Sequence, residues 1–293
     1  MTPSLRLLQA EVDRGDGDSY LRLLHEGKSV KFVEIASGVY DPDDMVFGPA
    51  ITALLEPILP RGTWNYGYVA KDNTTGLPCF TESSQKQYQG IEYTWHPTMV
   101  DHLDLVLDSK LKTGVYDATC SSFSVPLVTK FAVWEWEINF VDNECATYEC
   151  IEGHDIGPKF LGHIVEEGRV IGFLMERLKD EVGDARHATP ADLDICSQAL
   201  AKLHGLGILH GDINKHNILI TTGKATLIDF ANARRGIDES EFEEEMKMLK
   251  AALCDDSNVG RPGGRFIRDI DLEDYLPADT EEMEELPGEG KMS

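Results

Sequence analysis

The chain has 293 residues and carries 27 Lys and Arg against 52 Asp and Glu, a formal charge of −25. That balance argues against a general nucleic-acid coat, which needs a basic face for phosphates, and sets DNA aside as a partner. A hydrophobic fraction of 42% and a charged fraction of 27% fit a globular protein, and the length suits one large domain or two small ones. No segment reads as a membrane span: the best apolar run, Phe47 to Leu59, is broken by Pro49, Glu56 and Pro57 and is shorter than the roughly 20 residues a span needs. The N-terminus meets acids at once, unlike a secretory signal. Six scattered cysteines (Cys79, Cys120, Cys145, Cys150, Cys196, Cys254) form no C-x-x-C and no metal spacing with His, so they read as free thiols of a cytoplasmic protein.

Along the chain, Leu5, Leu7, Leu8 and Val12 predict an opening helix, followed by a Gly-Asp break and a second short apolar stretch. Residues 30–36 and 64–70 alternate as strands do, with a short helix from Gly48 to Leu59 between them. Residues 71–95 are polar and fit no element, and the first ~95 residues carry no chemical motif. From Leu103 to Leu107 a strand is predicted, then a turn at Thr113-Gly114 and a strand from Val125 to Ala132. A helix follows over Asp142–Ile151, with Val141, Cys145 and Tyr148 on one face. Phe160–Val165 and Arg169–Glu176 form a hairpin. Thr189-Pro190-Ala191-Asp192 is a helix start that leads Leu193, Cys196, Leu200 and Leu203 onto one face. Two short strands, Asn217–Ile220 and Ala225–Ile228, precede a helix from Glu239 to Leu253 with the stripe Phe242, Met246, Leu249 and Leu253. Residues 237–293 hold 18 acids and 6 bases, and the last 33 residues read as an acidic, disordered tail.

Chemistry concentrates in Leu203-His204-Gly205-Leu206-Gly207-Ile208-Leu209-His210-Gly211-Asp212-Ile213-Asn214-Lys215-His216-Asn217, followed by Asp229-Phe230-Ala231. Three oxygen-bearing side chains, Asp212, Asn217 and Asp229, sit beside apolar strands in the pattern H-G-D-x-x-x-x-N … D-F-A. Hard cations such as Mg²⁺ take oxygen ligands of this kind. The pattern resembles the catalytic loop and metal-binding turn of the protein-kinase-like superfamily, over roughly residues 100–255. The resemblance implies an α+β fold of two lobes, with a truncated C-lobe and an extra N-terminal α/β region. It divides the chain into an N-terminal extension (1–97), a small lobe (about 98–178), a large lobe (about 179–260) and the tail (261–293).

By that resemblance, Asp212 is the catalytic Asp, and Asn217 and Asp229 hold the metal. Lys130, in Val128-Thr129-Lys130-Phe131, holds the ATP phosphates and pairs with Glu144, or less well with Glu149. Glu176 and Leu178 belong to the hinge that receives adenine, and Gly114 stands in the phosphate loop. ATP and Mg²⁺ are the implied cofactors, and a small-molecule hydroxyl the implied acceptor. Several departures matter: one glycine where G-x-G-x-x-G is usual, His210-Gly211-Asp212 for H-R-D, Asn214 for Lys, Ala231 for Gly, and no A-P-E. They look more like the aminoglycoside-phosphotransferase and compact atypical branch than a regulated protein kinase.

With Trp95-His96-Pro97 and Val170–Glu176, the chain also resembles uncharacterised filamentous-fungal kinase-like proteins found near secondary-metabolite genes. Some of these are related to synthases of arginine-containing cyclodipeptides. That relation opens an alternative in which tRNA is a partner; a pseudokinase or binding module is a third. His154, His163, His204 and His216 form no metal spacing, and Trp134 and Trp136 read as packing. Arg234-Arg235 reads as a solvated pair rather than an anion contact. Lys110 and Lys112 could add to a positive pocket, while Arg261, Arg265 and Arg268 carry no decided role.

Overall fold

Residues 4–180 and 183–255 are described in a computed structural model, and two compact units meet in sequence between Gln85 and Lys86. The residues 86–97 therefore go with the second unit. The tail expected over 261–293, with Arg261, Arg265 and Arg268, lies outside the described residues.

The first unit is one mixed sheet with helices on one face. Its strands are β1 (Leu5–Glu11), β2 (Ser19–His25), β3 (Ser29–Ile35), β4 (Tyr66–Lys71) and β5 (Pro78–Ser84), in that spatial order. Helices α1 (Pro42–Val46) and α2 (Gly48–Leu55) cross from β3 to its parallel neighbour β4. Leu5, Leu21, Leu23, Val33, Ile35, Ile51, Leu55 and Val69 form the core. The helix expected at Leu5–Val12 is a strand. A bulge between Leu7 and Gln9 shifts the register, so the buried residues Leu5, Leu7, Ala10 and Val12 lose strict alternation and mimic a helical spacing. The second apolar stretch is β2, and the unassigned polar region contains β5.

The second unit begins with a segment that has little regular structure but is held in place. Ile91 N–H donates to the Val170 carbonyl at 2.8 Å. The N–H groups of Glu92 and Tyr93 share Asp142 Oδ1, and Trp95 Nε1 donates to the Cys145 carbonyl at 3.1 Å. A six-stranded sheet comes next: β6 (Met99–Asp101), β7 (Leu105–Lys112), β8 (Val115–Cys120), β9 (Leu127–Phe131), β10 (Phe160–Glu166) and β11 (Arg169–Glu176). Their spatial order is β6-β10-β11-β9-β8-β7, with only β6 parallel to its neighbour. Helix α3 (Glu135–Ile151) links β9 to β10. It starts seven residues before the expected Asp142, because Glu137 caps it by accepting from the N–H groups of Val133 and Trp134 at 3.0 and 3.2 Å. Trp134 is buried, whereas Trp136 stacks on it and stays half exposed.

Beyond β11 come the short strands β12 (Lys179–Asp180), β13 (Gly183–Asp184) and β14 (Arg186–His187), then α4 (Leu193–Gly205). Next are β15 (Ile208–Leu209), β16 (Ile218–Thr221), β17 (Lys224–Leu227) and β18 (Arg234–Arg235), and α5 (Glu239–Cys254) ends the described chain. Among the described residues the α-helices after β11 are α4 and α5, and no helix is long and apolar enough to cross a membrane. All six cysteines are free thiols.

His163, on β10, is fully buried. Its Nε2 accepts from His96 N–H at 3.3 Å, while Nδ1 has no hydrogen-bond partner among the described residues. Burial, with a smaller push from His96, brings the imidazole down to about 4. Between pH 6.5 and 4 the unfolded chain therefore takes up a proton that the folded one refuses. Stability of this unit is expected to fall by about 3 kcal/mol as pH drops through that window. Urea-unfolding midpoints measured from pH 7 to 4 should show the slope in wild type and a flatter one in His163→Gln.

Candidate active site

Lys130 lies on β9 and Glu144 on α3, and the lysine ammonium is bonded to the Glu144 carboxylate. The same ammonium is 2.6 Å from Asp229 Oδ1. A second ammonium, that of Lys112 at the end of β7, is bonded to Asp229 Oδ2. Glu149 is exposed on α3 and joins no part of this cluster. Glu144 also accepts from Phe230 N–H at 3.2 Å, so one buried carboxylate holds both the lysine and the backbone after Asp229.

Asp229 has left-handed backbone angles, φ 67 and ψ 65, which a residue with a side chain adopts reluctantly. Contacts made by the next few residues hold this conformation in place. The fully buried Phe230 ring packs against Tyr148 of α3 and against His210, with centroids 5.4 Å away in both cases. Asn143 of α3 donates to the carbonyls of Ala231 and Ala233 at 3.0 and 2.9 Å. Ala231 replaces glycine without strain, since its φ is not positive. Burial opposes charge on both Lys130 and Asp229, but attraction prevails: Glu144 and then Asp229 favour the ammonium of Lys130, and Lys130 and then Lys112 favour the carboxylate of Asp229. The ammonium of Lys130 is held above its usual range and the carboxyl of Asp229 below its own.

The loop that carries Asp212 and Asn217 runs from β15 to β16. Asn217 Nδ2 donates to the Asp212 carbonyl at 2.9 Å and to its Oδ2 at 3.1 Å. Asn214 Nδ2 reaches Asp212 Oδ1 at 3.2 Å, while its own Oδ1 accepts from the N–H groups of His216 and Asn217. Asparagine at 214 thus folds the loop as a local cap, which a lysine could not do. Gly211 has φ +79, and a Cβ there would stand 2.2 Å from the Asn232 carbonyl oxygen. The loop and the turn after Asp229 approach too closely for any larger residue, which accounts for glycine between His210 and Asp212. His210 Nε2 donates to the Ile228 carbonyl at 3.1 Å, tying the loop to the residue before Asp229.

Glu245 of α5 completes the support. Its carboxylate accepts from Gly211 N–H at 2.7 Å, His210 N–H at 3.1 Å and His204 Nε2 at 2.7 Å. It is only 4% exposed. The sequence motifs do not reveal it, although it lies three residues after Phe242 and four before Leu249, on the inward stripe of its helix. An acid on such a stripe signals a buried partner.

A cavity of about 260 Å³ is lined by Lys112, Lys130, Glu144, Asn217 and Asp229, by the apolar Val115, Val128 and Met175, and by Glu176 and Leu178. Asp212 is outside the lining and joined to it through Asn217. Gly114 is outside it too. With φ +68 and a Cβ position 3.0 Å from the Phe131 carbonyl, its glycine serves the β7–β8 turn. His216 lines the cavity and packs edge-on against His187. Arg234 pairs with Glu241 at 2.9 Å, and Arg235 donates to Cys150 Sγ at 2.8 Å; neither lines the cavity.

The donor set suits Mg²⁺. Among the described residues no cluster of three or more His, Cys, Asp or Glu could hold a metal alone. Asp229 and Asn217 supply one carboxylate and one amide oxygen, whose amide nitrogen is engaged with Asp212. That sparse set is what Mg²⁺ uses when substrate phosphates and water complete its shell.

The sequence profile of the lipopolysaccharide kinase (Kdo/WaaP) family matches residues 175–268, about a third of the chain. Residues of this chain are 32% identical over 105 positions to a protein of Methanoculleus marisnigri named "Probable bifunctional tRNA threonylcarbamoyladenosine biosynthesis protein", covering 31% of this chain and 20% of that one. A protein of the same name from Methanothermobacter thermautotrophicus is 34% identical over 65 residues, covering 21% and 12%. The chain thus spans a fifth or less of the length of these relatives. Among solved structures, the Cydia pomonella granulovirus kinase PK-1 aligns with a TM-score of 0.35 at 16% identity, over 45% of this chain and 55% of that one. The family match supports a kinase-like transferase, on a mixed α+β fold.

Replacing Glu245 by Gln leaves one buried N–H of the loop without its acceptor. Urea unfolding should show a loss of about 1–3 kcal/mol for Glu245→Gln and less than about 0.5 kcal/mol for the exposed Glu244→Gln.

Proposed function

We propose that the protein transfers the γ-phosphoryl group of ATP to a hydroxyl of a small molecule. The observation that supports this reading most is the convergence of Lys130, Glu144, Lys112, Asn217 and Asp229 on one cavity, with Asp212 hydrogen-bonded to its edge. In this reading adenine lies between the apolar Val115, Val128 and Met175, at the Glu176–Leu178 hinge. Lys130 binds the α- and β-phosphates, and Glu144 fixes its position. Asp229 and Asn217 hold Mg²⁺, which supplies neutralising charge to the β- and γ-phosphates when bound.

Asp212 orients the acceptor hydroxyl and takes its proton as the acceptor oxygen bonds to γ-phosphorus. The bond from that phosphorus to the bridging oxygen breaks, and ADP leaves. Asn214 and Asn217 keep both Asp212 oxygens directed by hydrogen bonds. The short passage from Asp229 to α5 leaves little platform for a protein chain, which favours a small acceptor. The likeness to a family named for lipopolysaccharide kinases makes a sugar hydroxyl the first acceptor class to test. A setting in fungal secondary metabolism and the cytoplasm rests on the sequence resemblance and composition alone.

A second reading, group transfer at a tRNA end, is favoured by the likeness to archaeal proteins named for tRNA threonylcarbamoyladenosine biosynthesis. The net charge of −25 weighs against it. Mg²⁺-dependent release of ADP from ATP, measured with a panel of sugars and with tRNA, separates the two. The first reading predicts sugar-stimulated turnover that falls at least about 100-fold in Asp212→Asn and Asp229→Ala. Stimulation by tRNA alone would favour the second, and indifference of the wild type to ATP would remove the first.

A further inference from the structure

The loop that covers phosphates in a glycine-rich site works through a row of backbone N–H groups. The β7–β8 connection here cannot do so. Lys112 pairs with Val115, leaving Thr113-Gly114 as a two-residue turn. The Gly114 carbonyl is engaged by Phe131 N–H at 2.8 Å, which closes the turn against β9. A tight hairpin of that kind has no backbone cradle to offer.

The sheet register places a side chain where the cradle is missing. Lys112 is opposite Val115, and Val115 is opposite Lys130. Residues directly opposite one another share a face of the sheet, so the three side chains lie in one row. All three line the cavity. Lys112 and Lys130 then reach the two oxygens of the same carboxylate, Asp229 Oδ2 and Oδ1. Lys112 is about one-third exposed and Lys130 about one-eighth, so Lys112 is the more accessible of the two. Its long flexible stem lets the ammonium swing without moving the strand.

We infer that Lys112 is a second phosphate-binding residue, standing in for the absent backbone cradle. It occupies Asp229 Oδ2 when the site is empty and moves to the β- and γ-phosphates when Mg²⁺ and nucleotide arrive. The inference rests on the nucleotide-binding reading above and adds a residue to it. It carries a consequence that a purely structural lysine would not: the ammonium and the metal compete for the same carboxylate oxygen.

Calorimetric titrations of the full chain with adenosine, ADP and ATP, each with Mg²⁺, test this in wild type, Lys112→Ala and Lys112→Arg. Lys112→Ala should bind ATP about tenfold or more weakly and adenosine equally well, and Lys112→Arg should retain most of the ATP affinity. Unchanged adenosine binding also shows that the variant is folded. In the nucleotide-free protein, Mn²⁺ followed by electron paramagnetic resonance should bind Lys112→Ala more tightly than wild type. Wild-type binding of ATP with no loss in Lys112→Ala, or equal loss for adenosine and ATP, overturns the role of Lys112 and leaves the nucleotide reading standing. Failure of the wild type to bind either ligand overturns both.

Discussion

The carboxylate of Asp229 is the point on which the second unit turns. It is mostly buried, it sits on left-handed backbone, and its two oxygens each face an ammonium group. A lone buried carboxylate would be costly, as would a lone buried lysine. Together with Glu144 they form an array of two acids and two bases in which each charge has a partner. Removing one member leaves the others uncompensated, so the array requires β7, β9, α3 and the turn after β17 to be in register at once.

The surrounding contacts explain how that register is maintained. Helix α3 is tied to the turn twice, by Glu144 to Phe230 and by Asn143 to Ala231 and Ala233. The same helix is held from its other side by the segment before β6, through Asp142 and the Cys145 carbonyl. The loop between β15 and β16 is tied to the turn by His210 and by the close pass of Gly211 under Asn232, and to α4 and α5 by Glu245, which accepts from Gly211, His210 and His204. The buried polar side chains Glu144, His210, Asn217 and Glu245 all take part in these ties, so the site is positioned by groups that water does not reach.

The legible parts of the sequence were those whose geometry is local. His210 to Asn217 and Asp229 fall around one short hairpin, so their spacing alone brings Asn217 beside Asp229. Lys130 and Glu144 were readable because a strand and the following helix are close in sequence. Glu245 was not, since its meaning depends on α5 packing 34 residues downstream of Gly211. Lys112 was readable only as a positive charge, because its bond to Asp229 spans 117 residues. Beyond the site, the bulge at Leu7–Gln9 disguised β1 as a helix, and the cap at Glu137 started α3 earlier than its apolar pattern showed.

The most direct measurement is a crystal structure of the protein with Mn²⁺ and a non-hydrolysable ATP analogue. An anomalous peak bonded to oxygens of Asp229, Asn217 and the phosphates, with Lys112 turned from Asp229 to the phosphates, is the expected result. A bound nucleotide whose metal lies away from Asp229 and Asn217, with the Lys112–Asp229 pair intact, would contradict it.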